Sequence, residues 1–221
     1  MGTCEVIDIG RSDYDSALSL QKELLNRKKD GEETDYLILV EHHPVVTIGR
    51  KGSAGDLRVS PGRLEELGVE LRTVTRGGAA TYHGPGQLVG YPIMDLRRQG
   101  RDVHMYLRRL ERCLIRTLAK RNIEAGTREG KTGVWIERDK IASIGIAVRS
   151  WITYHGFAVN VGEDITGFDS IFPCGMPDCT MTSVSRLTGS TVTLAEFADD
   201  LLPEFAAEFD CRIRSVLGAA V

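Results

Sequence analysis

Two residues carry most of the chemistry this sequence can offer: a cysteine set in a turn and a lysine set in an apolar strand. Cys174 lies in Phe172-Pro173-Cys174-Gly175-Met176, where proline and glycine favour a tight turn that exposes and aims the thiol. Lys140 opens the otherwise apolar run Lys140-Ile141-Ala142-Ser143-Ile144-Gly145. A thiol of unperturbed pKa ~8.5 is only slightly ionised at neutral pH, and an ammonium beside it favours the nucleophilic thiolate. The pair therefore has the makings of a covalent acyl carrier, the cysteine attacking a carbonyl while the lysine first gives and later takes a proton. Taken singly, each residue has a plainer role. Cysteine is often a small buried hydrophobe, and Lys140 could simply be a solvated residue after the Arg138-Asp139 turn.

A third segment offers a place for the acyl donor. Arg76-Gly77-Gly78-Ala79-Ala80-Thr81-Tyr82-His83-Gly84-Pro85-Gly86-Gln87 contains four glycines and a proline, so it reads as a loop able to bring backbone N–H groups close to a ligand. Arg76 adds a planar cationic fork. Such a loop could hold a phosphate or a thioester carbonyl, or merely connect two strands. It lacks the Gly-Lys-Ser/Thr ending of a phosphate-binding P-loop and does not open a helix as a dinucleotide fingerprint does. His83 is assigned to ligand binding or loop shaping, not to base catalysis. His155 is read as structural, Tyr82 and Tyr154 as lining or packing residues, and Asn160 as a loop hydrogen-bonder.

Composition narrows the class. The chain has 221 residues, 42% hydrophobic and 27% charged, which suits one catalytic domain over 1–221. A net charge of -3 argues against a broad nucleic-acid surface. The apolar runs are too short to span a bilayer, and the start has neither a secretory pattern nor a myristoylation motif. Five scattered cysteines do not form a disulfide framework, so a reducing cytoplasm is expected. Cys174 and Cys179 lack a second ligand pair for zinc, and the neighbours His42 and His43 would point to opposite faces of a strand, so no metal site is expected.

The elements that must position these residues follow from periodicity. Strands are expected over 6–9, 36–40, 45–49, 69–75 and 87–96, with Pro92 marking the last as an edge or a bulge. Helical spacing covers 12–29, Ser60-Pro61 starts a short helix, and Asp102 caps a long one reaching about 121. Residues 132–137, 140–148 and 151–161 read as three consecutive antiparallel strands. Thr193 and Glu196 form a capping box for a last helix that Pro203 should kink or divide, before a final strand at 211–216. This order suggests an α+β fold: a mixed, mostly antiparallel sheet flanked by helices.

Taken in order, RGGAATYHGPGQLVGYP, KTGVWI, KIASIGIAV, WITYHGFAVNV and FPCGM followed by TSV resemble the lipoyl/octanoyl transferases of lipoate biosynthesis. The resemblance spans about 41–185 and implies the fold of the biotin/lipoyl protein ligases. It implies that an octanoyl or lipoyl group moves from acyl carrier protein to an enzyme cysteine and then to a lysine amine, without a cofactor. The acceptors implied are the lipoyl domains of 2-oxoacid dehydrogenase complexes and the glycine-cleavage H protein, and the enzyme is expected to be a monomer. Position by position, the acyl-carrying cysteine falls on Cys174 and the assisting lysine on Lys140. Substrate contacts fall on Arg76 to His83, on Ser143, Ile144 and Gly145, and on Gly156, Phe157 and Ala158.

Thioester-to-thioester exchange keeps the acyl group activated, so ATP is not needed. Backbone N–H groups near Gly175 or Gly145 are candidate oxyanion donors. An apolar tunnel is expected, since burying seven carbons of an octanoyl tail contributes about 5 kcal/mol before ordering costs. Ala79 departs from the family's usual glutamine, removing a hydrogen-bonding group near that pocket. Cys179 is read as an inert neighbour of Cys174. Arg97, Arg98, Arg101, Arg108 and Arg109 are a candidate basic face for an acidic carrier, or a solvated helix face. Competing readings are an ATP-dependent lipoate or biotin ligase, a lipoyl-domain amidotransferase, a cysteine hydrolase using His83 or His155, and a noncatalytic acyl-protein binding module.

Overall fold

The first helix starts where an aspartate intercepts its unpaired N–H groups. The Asp13 carboxylate accepts from Ser16 N at 2.8 Å and so separates β1 (Gly2–Ser12) from α1 (Tyr14–Lys29). Helical spacing alone puts the start at residue 12. Ser12 instead stays in the strand, because it still pairs with His42 of β2 (Asp35–His42). The same device recurs. Asp102 caps the helix Val103–Ala119 through Met105 N, and Thr193 and Glu196 form the reciprocal box that starts the helix Leu194–Phe209.

The computed structural model describes residues 2–176 and 179–216, with the side chains of Cys174 and Val216 outside that description. After β2 come β3 (Val45–Ile48), α2 (Pro61–Glu66), β4 (Glu70–Thr73), β5 (Ala80–His83) and β6 (Gln87–Ile93). The chain continues through α3 (Val103–Ala119), β7 (Gly126–Arg128), β8 (Lys131–Ile136), β9 (Asp139–Arg149) and β10 (Ile152–Asn160). Last are β11 (Thr180–Met181), α4 (Val184–Thr188), α5 (Leu194–Phe209) and β12 (Cys211–Val216). Among the described residues, a nine-stranded sheet has the order β12-β1-β2-β6-β10-β9-β8-β7, with β11 added beside β9. The β12–β1 and β1–β2 pairs are parallel, and those from β2 to β7 antiparallel. A separate three-stranded sheet has the order β4-β3-β5. The expected α+β class and the β8–β9–β10 meander are both present.

Helices cover both faces of the large sheet. One core packs α3 and α5 around Leu110, Leu114, Phe197, Leu201 and Phe205. The other packs Ala17, Leu24 and Leu25 of α1 over Ile38, Val40 and Val89. Pro203 lies inside α5 without dividing it. Pro92 does not mark an edge. It pairs with Leu37 in a central strand, and the proline is accommodated because the β6–β10 ladder stops at Gly90–Phe157. Opposite Pro92, β10 bends through His155 at φ 56°. Four residues of the expected glycine-rich loop, Ala80–His83, form β5 instead.

Three buried imidazoles sit where α1 meets both sheets. His42 Nε2 lies 2.7 Å from the Tyr91 hydroxyl, and Tyr14 stacks on His83 with ring centroids 6.5 Å apart. The His155 ring lies between the hydroxyls of Tyr14, at 3.4 Å, and Thr75, at 3.2 Å. Burial pushes His42 down to about 4, His155 down to about 3 and His83 well below its usual range. Each ring is thus neutral when folded but takes a proton near pH ~6.5 when unfolded. This contribution to stability is complete above that pH and declines as the pH falls towards the folded values. Denaturant midpoints should therefore be level above pH 7 and fall steadily from pH 6.5 to pH 4. An unchanged midpoint over that range would refute neutral burial.

The β6–β10 contact leaves no room for a side chain at Gly90 or Gly156. A Cβ on Gly156 would lie 2.1 Å from the backbone oxygen of Gly90, whereas one on Gly126 meets nothing within 4 Å. Gly156→Ala should cost about 1–3 kcal/mol, and Gly126→Ala less than about 0.5 kcal/mol. Urea midpoints of the two variants, measured side by side, check the contrast.

Candidate active site

Loop 76–79 reaches the large sheet by one backbone bond: Gly77 N donates to Ile146 O at 2.8 Å. A Cβ on Gly145 would lie 2.9 Å from Gly77 O, so this close crossing needs glycine on β9. Beneath the crossing is a cavity of about 720 Å³. Its walls come from loop 76–79 and β5 on one side, from β9 and β10 on the other, and from the start of α3.

The structure brings Lys140 and the segments implied to contact substrate together with one exception. Arg76, Gly77, Gly78, Ala79, Ala80, Thr81 and His83 line the cavity, as do Lys140, Ser143, Ile144, Gly145, Gly156, Phe157 and Ala158. Tyr82 does not. Side chains alternate along β5, so Tyr82 turns away and packs edge-on against Phe168, with ring centroids 5.6 Å apart. Arg76 is buried and its guanidinium serves the loop: Nη2 donates to Thr47 O at 2.6 Å, Nε to Thr47 Oγ1 at 3.2 Å and Nη1 to Gly77 O at 3.0 Å. It therefore also shapes the cavity wall that it lines.

Lys140 is 2% exposed. Its Nζ donates to Thr132 O at 3.1 Å and lies 5.1 Å from the Trp135 ring centroid. The solvated alternative is thereby removed. Residues 173–175 form a 3-10 turn with Cys174 in the middle; the Cys174 side chain lies outside the described residues. Gly175 and Met176 line the same cavity as Lys140. The segment then returns as β11 to pair Met181 with Lys140, and Thr182 N donates to Lys140 O at 3.0 Å. Of the suggested oxyanion donors, Gly175 N–H is already committed to Phe172 O at 2.9 Å, closing the turn. Cys179 is buried, with Sγ 3.7 Å from Thr180 O.

Other features were not apparent from sequence. Tyr14, Val89, Tyr91 and His155 line the buried end of the cavity, and Lys51, His104 and Lys131 line its outer part. Helical and strand periodicity assigns Tyr14 and Tyr91 to the core, and nothing in that pattern signals a ligand. Asn160 bonds as a loop organiser, donating to Thr182 O at 3.0 Å and accepting from Gln87 Nε2 at 3.0 Å. The expected basic face stays largely exposed, but most of its arginines are engaged within the chain. Arg97 pairs with Asp95, Arg108 with Glu111 and Arg109 with Glu208, while Arg98 donates to Glu33 O. Among the described residues, no helix is long and apolar enough to cross a membrane.

The arrangement matches known proteins over nearly its whole length. Residues 13–206 fit the model of the lipoyl protein ligase A/B catalytic domain. An octanoyltransferase of Syntrophotalea carbinolica is 46% identical, covering 87% of this chain and 88% of its own. One from Geotalea uraniireducens is 42% identical, covering 93% and 98%. In fold, the chain is similar to a bi-partite lipoate protein ligase from Thermoplasma acidophilum, with TM-score 0.72 and 16% identity over 97% of this chain and 87% of that one. A biotin protein ligase from Aquifex aeolicus gives TM-score 0.52 and 12% identity over 95% and 70%. The buried lysine, the cysteine turn and the glycine crossing thus stand on a biotin/lipoyl ligase fold, and the chain belongs to the lipoyl protein ligase A/B catalytic-domain family, alongside its octanoyltransferases.

Proposed function

We propose that this chain is an octanoyltransferase, acting as one catalytic domain over 1–221. It takes an octanoyl group from acyl carrier protein onto Cys174 and passes it to the lysine amine of lipoyl domains. The observation that carries this reading is the opening of the Cys174 turn and Lys140 onto one cavity, walled by the segments implied to contact substrate. The 42–46% identity to proteins named octanoyltransferases favours transfer over the ATP-dependent ligase reading. The ligase neighbours, below 25% identity, support the fold alone.

In the first half-reaction the Cys174 thiolate adds to the donor carbonyl, and the tetrahedral intermediate expels the carrier thiolate. The Lys140 ammonium supplies the proton that makes the departing thiol. In the second half the incoming lysine amine attacks the Cys174 thioester. Neutral Lys140 takes a proton from that amine, and the thiolate is restored as the amide forms. One site thus serves as acid and then base, with no net change in its own protonation. The three imidazoles, neutral from burial, are poor sources of a proton at pH 7. This favours Lys140 for the acid step and disfavours a hydrolase driven by His83 or His155. The cavity would hold the octanoyl tail against Val89, Ile144, Ile146 and Phe157. Lipoyl domains of 2-oxoacid dehydrogenase complexes and the glycine-cleavage H protein are the proposed acceptors, and a monomer is the proposed active form.

Intact-mass measurement after mixing with octanoyl-acyl carrier protein, without ATP, tests the reading. One hydroxylamine-labile octanoyl group should appear and then leave when a lipoyl domain is added. Cys174→Ala should carry no adduct, and Lys140→Ala should transfer at least ~100-fold more slowly. Acylation seen only with free octanoate and ATP would instead establish a ligase.

A further inference from the structure

Glu111 is a carboxylate buried to 1% exposure on the inner face of α3, where an unpaired charge would be strongly destabilising. Two groups hold it. Arg108, a turn earlier, donates from Nη1 to Oε2 at 2.6 Å, and the backbone N–H of Gly133 donates to Oε1 at 3.0 Å. That N–H belongs to the peptide joining Thr132 and Gly133. The carbonyl of the same peptide, Thr132 O, accepts from Lys140 Nζ at 3.1 Å. In a trans peptide the N–H and C=O point in opposite directions. One peptide plane therefore stands between a buried carboxylate and a buried ammonium, its positive end on Glu111 and its negative end on Lys140.

The strand is built to allow this. Gly133 has φ 124°, a conformation side chains rarely adopt, and the β8–β9 register shifts just beyond it. A Cβ there would lie 2.7 Å from Lys140 Cε and 2.6 Å from Ala142 O. The glycine lets the peptide approach the lysine closely, and Glu111 holds its N–H from the other side. Hydrogen bonds in such a chain polarise one another, so a charge at one end strengthens the bond at the other.

We propose that Glu111 is a positioning residue that acts through the Thr132–Gly133 peptide to hold the Lys140 amine in place and favour its ammonium form, with Arg108 moderating the effect. This rests on the reading of Lys140 as the proton carrier. Among the described residues, other charged or titratable groups near Lys140 include Arg128 on β7, Lys131 on β8 and Asp139 beside it on β9, with Lys51, Asp56, Arg76 and His104 on the walls of the same cavity, and they stay constant in the comparison below.

The test is the pH–rate profile of acyl-enzyme formation from octanoyl-acyl carrier protein. Glu111→Gln keeps an oxygen for Gly133 N–H but removes the charge, so its alkaline limb should move to lower pH by about one unit. Arg108→Ala leaves the carboxylate uncompensated, and its limb should move to higher pH. A purely structural role would lower the melting temperature without moving the limbs in opposite directions, and a wild-type profile in folded Glu111→Gln overturns the proposal. Lys140→Ala separates the two readings. If it abolishes the limb while Glu111→Gln leaves it in place, only the Glu111 proposal fails; if it keeps the wild-type limb, both fail.

Discussion

The bond from Gly77 N to Ile146 O is the constraint on which the site depends. There the loop joining two strands of the small sheet crosses onto the larger one by a backbone bond, and both partners must approach without side chains between them. Gly145 supplies the space on β9, and Gly49 on the small sheet does the same below loop 76–78. Arg76 then ties that loop to Thr47 on β3. The result is a roof over part of a sheet that would otherwise be packed by a helix, and the space beneath is the cavity. A packed interior leaves few voids larger than a water molecule. A void of this size persists because its rim is hydrogen-bonded backbone that cannot collapse inward.

Several buried polar groups at the site are fixed by backbone or by another buried polar group. His42 is held between Ser12 O and the Tyr91 hydroxyl, and Asn160 between Gln87 and Thr182 O. Lys28, at the far end of α1, shows the same logic away from the site. It is 1% exposed, 2.7 Å from Asp35 and 2.8 Å from Thr34 O. Such groups contribute little net stability, but each is costly to displace, so they fix geometry more than they add free energy.

Local chemistry was legible in the sequence, and long-range geometry was not. Asp102, Thr193 and Glu196 announce their helices because a cap acts over three residues. The β8–β10 meander is legible because its strands follow one another through tight turns. The partition of β3, β4 and β5 into their own sheet is not, since it depends on pairings such as Val46 with Leu71 and Tyr82. The same limit explains Pro92: its position became tolerable only through a break in the ladder to a strand some sixty residues later. At the site, the motif segments were legible as a set. Tyr82 was misplaced because strand alternation fixes its face only once β5 is known to be a strand. Glu111 was invisible because a helical carboxylate next to an arginine looks like an ordinary surface pair.

The segment bearing Cys174 is anchored at two unlike places. On one side Phe172 N donates to Asp56 O at 2.8 Å, next to the small sheet; on the other, Thr182 N donates to Lys140 O in the large one. The cysteine is thus suspended across the seam, like a span resting on two separate piers. Slight settling of one pier against the other would tilt the span long before either gave way. Sequence changes at the seam should therefore register first as lost turnover in a protein that is still folded, which makes catalytic alignment the most sensitive gauge of how well the two sheets fit.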